Sequence, residues 1–278
     1  MTLLVLKLLL APLLVVGSWL AGRRWGGRVA GTLVAFPIVA GPILLITCLE
    51  QGVRFGARAA AASLLGLVSL AVFAVVFAYA GRRWRWPLTL AVSWAANVLA
   101  DIVLAQRPVG AGWALLLVLV ATWVAYRLVA AIDGDPDTAA TVTPPWWDLP
   151  GRAAATAVLV LTVTGVAAYA GPVVTGILAP FPIATSVVAA FVLAQHGPSA
   201  AIRTLSGVTQ GLVGFAVFCF LTAVLLVPLG IPAAFTIAIV GALVVQLGVT
   251  AWWAARARGR EVSGGRRAYE SGRRSLRS

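Results

Sequence analysis

Two carboxylates, Glu50 and Asp101, lie in or at the edge of otherwise apolar stretches of this chain. Ionisable groups inside a bilayer are costly, and where they occur they commonly serve ion or substrate pathways. Asn97 stands four residues before Asp101, which puts both on one face of a helix. A polar seam of Asn97, Asp101 and Gln246 is therefore a candidate pathway, with Glu50 and Gln195 as a second polar position. The plainer readings remain open: Asp101 as an interhelical hydrogen-bonding group or protonated buried acid, and Glu50 as an interfacial residue paired with Arg54. Two Phe-Pro-Ile elements add a backbone feature, Phe36-Pro37-Ile38 and Phe181-Pro182-Ile183. Pro42 follows the first closely and Pro180 adjoins the second. Proline removes a backbone donor and breaks or kinks a helix. In lipid the freed carbonyl must find a partner in protein or a cavity. Paired breaks in two halves of a chain point to a binding centre near the midplane, though each could also be a packing kink.

The elements that must hold these residues are set by composition. The chain has 278 residues, 61% hydrophobic and 10% charged, with a mean hydropathy of +0.99. A soluble domain carries about 25% charged residues, so a soluble enzyme, a disordered chain and a disulfide scaffold are excluded. Nine apolar segments near spanning length are expected as helices. They run Thr2–Leu20, Val29–Leu49, Ala59–Ala80, Leu88–Ala105, Gly112–Ile132, Ala153–Ala170, Val173–Ala194, Ala201–Val227 and Ala233–Ala255. The loops are short except Asp133 to Arg152, read as a solvated acidic Pro/Trp linker. Its Asp133, Asp135 and Asp137 resemble the start of a calcium loop, but Pro136 intrudes and no closing Glu follows. Cys48 and Cys219 read as reduced apolar side chains.

The strongest signal is an internal repeat. Val29-x-Gly31-x-Leu33-x-x-Phe36-Pro37-Ile38 recurs 145 residues later as Val174-x-Gly176-x-Leu178-x-x-Phe181-Pro182-Ile183. The same ungapped offset pairs Gly52 with Gly197, Arg58 with Arg203, Gly66-Leu67-Val68 with Gly211-Leu212-Val213, and Pro87 with Pro232. It also sets Gln195 against Glu50 and Gln246 against Asp101, an amide facing each acid. Segments 1–4 thus map onto segments 6–9, and segment 1, having a counterpart, is not read as a signal peptide. Five crossings separate the copies, which places them in opposite orientations, a recurring plan of secondary transporters. The expected organisation is a first membrane repeat over 1–108 and a linker helix with the acidic loop over 109–152. A second repeat follows over 153–255, then a disordered basic cytoplasmic tail over 256–278.

The net charge of +13 resides mostly in short loops and the tail. On the nine-segment plan 17 Lys and Arg fall on one side and 4 on the other. The positive-inside rule then puts the N-terminus outside and the C-terminus in the cytoplasm. These cations are matched to anionic lipid headgroups, and no nucleic acid is expected. Arg58 and Arg203, kept in both copies, are candidates for gripping an anionic group at either entrance, or for snorkelling to the interface. His196 carries little weight. No nucleophile elbow, phosphate loop or metal-ligand spacing occurs, so no enzyme, cofactor, catalytic residue or metal is expected.

The Gly-x-Leu-x-x-Phe-Pro element, followed by an acid or amide with Gly, then Arg and a Gly-containing helix, resembles the GlpM-type family of small bacterial inner-membrane proteins. Residues 29–80 and 174–227 are each similar to one such unit. The resemblance implies two units fused in opposite orientations in a bacterial inner membrane, and an indirect link to exopolysaccharide production. The acidic linker, the fifth segment and the basic tail depart from that pattern. The expectation is an all-α polytopic protein acting as a transporter or flippase of a small or lipid-linked substrate, with proton coupling through Asp101 or Glu50. The alternative is a non-transporting scaffold or accessory subunit for envelope polysaccharide assembly.

Overall fold

The computed structural model describes residues 13, 15–17, 19–35, 40–106, 109–132, 147–162 and 181–275. These residues form helices and turns, with no strand among them. The order is α1 over 19–25, α2 Gly27–Ala35, α3 Ala40–Gln51, α4 Val53–Ala80, α5 Trp86–Ala105, α6 Ala111–Ala131, α7 over 148–162 and α8 Ile183–Ser275. Among the described residues, four stretches are long and apolar enough to cross a membrane: α4, α5, α6 and the portion of α8 over Ile183–Ala251. The chain is a membrane protein of the helical class. Phe36, Pro37 and Ile38 lie outside the described residues, as do Asp133–Trp146 with the calcium-like run.

Helix ends follow local chemistry. Arg85 is extended (φ −69°, ψ 155°) and a proline in the first turn opens α5, where its missing N–H costs nothing. α8 is broken internally at Gly197 (φ 79°) and Gly230 (φ 75°). It therefore consists of limbs over 183–196, 198–229 and 231–275. Gly52, between α3 and α4, has φ 87°. Gly52 and Gly197 stand 145 residues apart with the same left-handed conformation, which a Cβ makes costly.

One expectation is corrected. The acidic linker does not extend to Arg152, because α7 already begins at Asp148. Pro150 suits the first turn of a helix, and an Asp–Arg pair four apart supports the turns that follow. Beyond the last crossing α8 continues as helix to Ser275. Its Arg, Ala and Glu are good helix formers that propagate from an established end.

α4 is the hub, in contact with α3, α5, α6 and α8. Its Leu64, Phe73 and Phe77 are fully enclosed with Leu205, Leu212 and Phe218 of α8. In lipid, apolar burial drives little association, so close contact and polar bonds must hold helices together. α2 and the second limb of α8 illustrate this. A Cβ on Gly31 would overlap the backbone of Thr204, and one on Gly207 would overlap the backbone of Arg28. The Thr32 hydroxyl lies 3.1 Å from the carbonyl of Gly207 across the contact. Outward faces are apolar, with Leu99, Trp113, Val244 and Leu247 each more than 60% exposed.

Candidate functional site

α5 is polar on the inside and apolar on the outside. Its buried residues are Thr89, Ser93, Asn97 and Asp101, spaced four apart along one face. The stripe runs from Thr89 to Asp101, about 18 Å along the helix. The Ser93 hydroxyl donates to the carbonyl of Thr89 (2.7 Å), and Thr89 Oγ1 donates to the carbonyl of Trp84 (3.3 Å). Asn97 Nδ2 donates to Asp101 Oδ2 at 2.9 Å. Ser69 of α4 stands beside the same carboxylate. Neither Ser69 Oγ nor Asn97 Oδ1 has a well-formed hydrogen bond, although both atoms are buried.

The positions 145 residues further on are Ala234, Ala238, Ala242 and Gln246, and all four are buried as well. Gln246 Oε1 accepts from the N–H of Gly214 (3.3 Å), and Gly214 is the position 145 after Ser69. The two inward stripes thus share a register and differ in chemistry, Thr-Ser-Asn-Asp in one and Ala-Ala-Ala-Gln in the other. The seam of Asn97, Asp101 and Gln246 is not a single hydrogen-bonded chain; each end bonds within its own half.

A second polar knot ties three helices. Asp148 Oδ1 accepts from Arg152 Nε at 2.8 Å and from Gln195 Nε2 at 2.7 Å. Its Oδ2 accepts from Trp19 Nε1 of α1. Asp148 is fully buried and Arg152 nearly so, and the Arg152 guanidinium lies 5.0 Å from the ring centroid of Phe191. A buried carboxylate is tolerated because three donors and an opposite charge compensate its lost hydration.

Beside this knot, α5, α7 and the first limb of α8 enclose a groove of about 680 Å³. Trp86 and Trp94 of α5, Trp147 before α7, and Phe191 supply aromatic walls, and Ser186 and Gln195 supply polar points. The groove lies beside Phe181-Pro182, where α8 is about to start. Phe181 and Pro182 are not helical and Ile183 opens α8. Phe181 packs on Trp94 with ring centroids 5.4 Å apart, and Trp94 Nε1 donates to Ser186 Oγ at 2.8 Å. Trp94 lies three residues before Asn97, so the stripe and the groove share α5.

The other sequence-predicted residues fall as follows. Glu50 is exposed near the end of α3, and no ion pair joins it to Arg54 among the described residues. Pro42 lies in the first turn of α3. Arg58 is exposed, its Nε 3.4 Å from the carbonyl of Arg54. Arg203 is partly buried, and its Nη1 is enclosed without a partner. His196 Nδ1 is likewise enclosed and unpartnered. Sequence reasoning missed Asp148, Arg152, Thr89, Ser93 and Ser69. Two signals were available: the four-residue spacing of Thr89-Ser93-Asn97-Asp101, and the Asp148–Arg152 spacing at a helix start.

No family model, no curated protein and no solved structure matches this chain.

Proposed function

We propose that the chain is a membrane transporter or flippase of a small or lipid-linked substrate, built from two inverted repeats of four helical segments joined by a fifth. The observation that carries this reading is the groove of about 680 Å³ beside the proline-marked start of α8. Secondary transporters place their substrates at the ends of discontinuous helices, and pockets of roughly 300–1,000 Å³ suit small-molecule ligands. Its aromatic walls suit an apolar chain or ring, and Gln195, held by Asp148, offers a polar anchor at its edge. Support for the repeat comes from the left-handed glycines at 52 and 197, and from the two buried stripes in one register. The arginine distribution supports a cytoplasmic C-terminus in a bacterial inner membrane, facing anionic headgroups. A GlpM-like origin fits two such units fused.

Groove-filling variants test the reading. Ala155→Trp and Ala190→Trp occupy the groove without touching the Asp148 knot. Each should reduce lipid retained on the purified protein, read by native mass spectrometry, and abolish translocation of labelled lipid in proteoliposomes. Wild-type protein that retains and moves no lipid or small amphiphile, with variants indistinguishable from it, would shift the assignment to the scaffold.

A further inference from the structure

We propose that Asp101, Asn97 and Ser69 form a binding station for one small monovalent cation, a proton or a sodium ion, reached along the α5 stripe. The inference deepens the transporter reading and rests on it for its purpose, though not for its chemistry. Asp101 is 7% exposed, Asn97 1% and Ser69 0%. The buried atoms of this cluster that lack a well-formed hydrogen bond are both oxygens, Asn97 Oδ1 and Ser69 Oγ. Asn97 already spends an N–H on the carboxylate. Buried polar atoms in folded proteins nearly always have partners, so two orphans beside one carboxylate require an explanation. A carboxylate, an amide carbonyl and a hydroxyl are the hard oxygen donors that bind hard cations.

Charge sets the valence. Among the described residues no arginine or lysine pairs with Asp101. α4 and α8 pack against α5, and the groups facing the carboxylate are the neutral Ser69 and Asn97. One carboxylate neutralises one positive charge; a divalent ion would leave a net charge in a low-dielectric interior. Ser93 and Thr89 continue the oxygen lining toward the Arg82-Arg83 turn. The Ser93 hydroxyl proton is spent on the α5 carbonyl of Thr89 and the Thr89 hydroxyl proton on the carbonyl of Trp84 in the turn before α5, so each oxygen keeps lone pairs as an acceptor. The second stripe, with three alanines, offers no such lining. The cation route therefore belongs to one half of the molecule.

The test uses the full chain in proteoliposomes on a solid-supported membrane, with no substrate added. Sodium jumps against choline, and separately pH jumps, should displace charge transiently in the wild type. A response to sodium assigns the ion as sodium; a response to pH alone assigns a proton. Asp101→Asn, nearly isosteric, should abolish the response. Ser69→Ala should raise the half-saturating cation concentration roughly tenfold, the loss of about one hydrogen-bond-strength ligand. Leu99→Ala, on the lipid-facing side, should respond as wild type. Absence of displacement in wild type, or its persistence in Asp101→Asn, overturns the station. If Asp101→Asn does not fold, an unshifted Ser69→Ala response overturns it. Charge displacement in a protein that moves no substrate would retain the station and remove the transporter reading.

Discussion

Asp148 receives three side-chain donors from α1, α7 and α8, namely Trp19, Arg152 and Gln195. Its energetic importance lies in what its loss would strand. Removing one member of a buried ion pair leaves an uncompensated charge and costs about 3–5 kcal/mol. Asp148→Ala should therefore lower the thermal midpoint in detergent by several degrees, and Arg152→Ala should do the same. The double variant should lose less than the sum, because neither charge is then left alone. Additive losses in a thermal-melt cycle would show that the pair does not act as a unit. The residues were readable as an Asp–Arg spacing of four, but their burial was not. An acid and an arginine at the end of a Pro- and Asp-rich loop have the composition of a solvated linker.

At the scale of elements, the contact between α2 and the second limb of α8 depends on two glycines. A methyl group at Gly31 would enter the backbone of Thr204, and one at Gly207 the backbone of Arg28. Neither obstacle is a flexible side chain, so the helices must separate. Gly31→Ala and Gly207→Ala should each destabilise by about 1–3 kcal/mol, the range for overpacking, seen as a lower midpoint or a loss of monodisperse protein. Ala at the outward-facing Gly248 of α8, where an added Cβ meets nothing, should be neutral or mildly stabilising within a helix. Gly31 was legible as part of the repeated motif. Its role as a backbone contact was not, since the partner lies more than 170 residues away.

For the whole molecule, the arginine count makes a claim about orientation that labelling can test. A cysteine engineered at Pro136, in a background with Cys48 and Cys219 replaced, should be modified from the cytoplasmic side only. Both native thiols are buried and free, so their replacement by alanine removes little beyond apolar volume. Labelling from the outside would reverse the orientation and exchange the entrances assigned to Arg58 and Arg203. The proposed inversion of the two repeats implies that equivalent sites near Gly52 and Gly197 label from opposite sides.

The sequence by itself determined the solvent in which this protein folds. Its hydropathy, its apolar runs and its helix breakers at Pro182, Gly52 and Gly197 follow from residue types whose backbone preferences hold in any context. The tertiary structure decided which face of each helix is inside. A soluble helix advertises its core by the contrast between apolar and polar faces. In lipid the outward face is apolar too, so α5 had to be packed against α4 before Thr89, Ser93, Asn97 and Asp101 became one buried stripe. Likewise the groove exists only where α5, α7 and α8 meet, and the Asp148 knot only where α1 joins α7 and α8. Those meetings depend on contacts between residues distant in the chain, for which local periodicity carries no information.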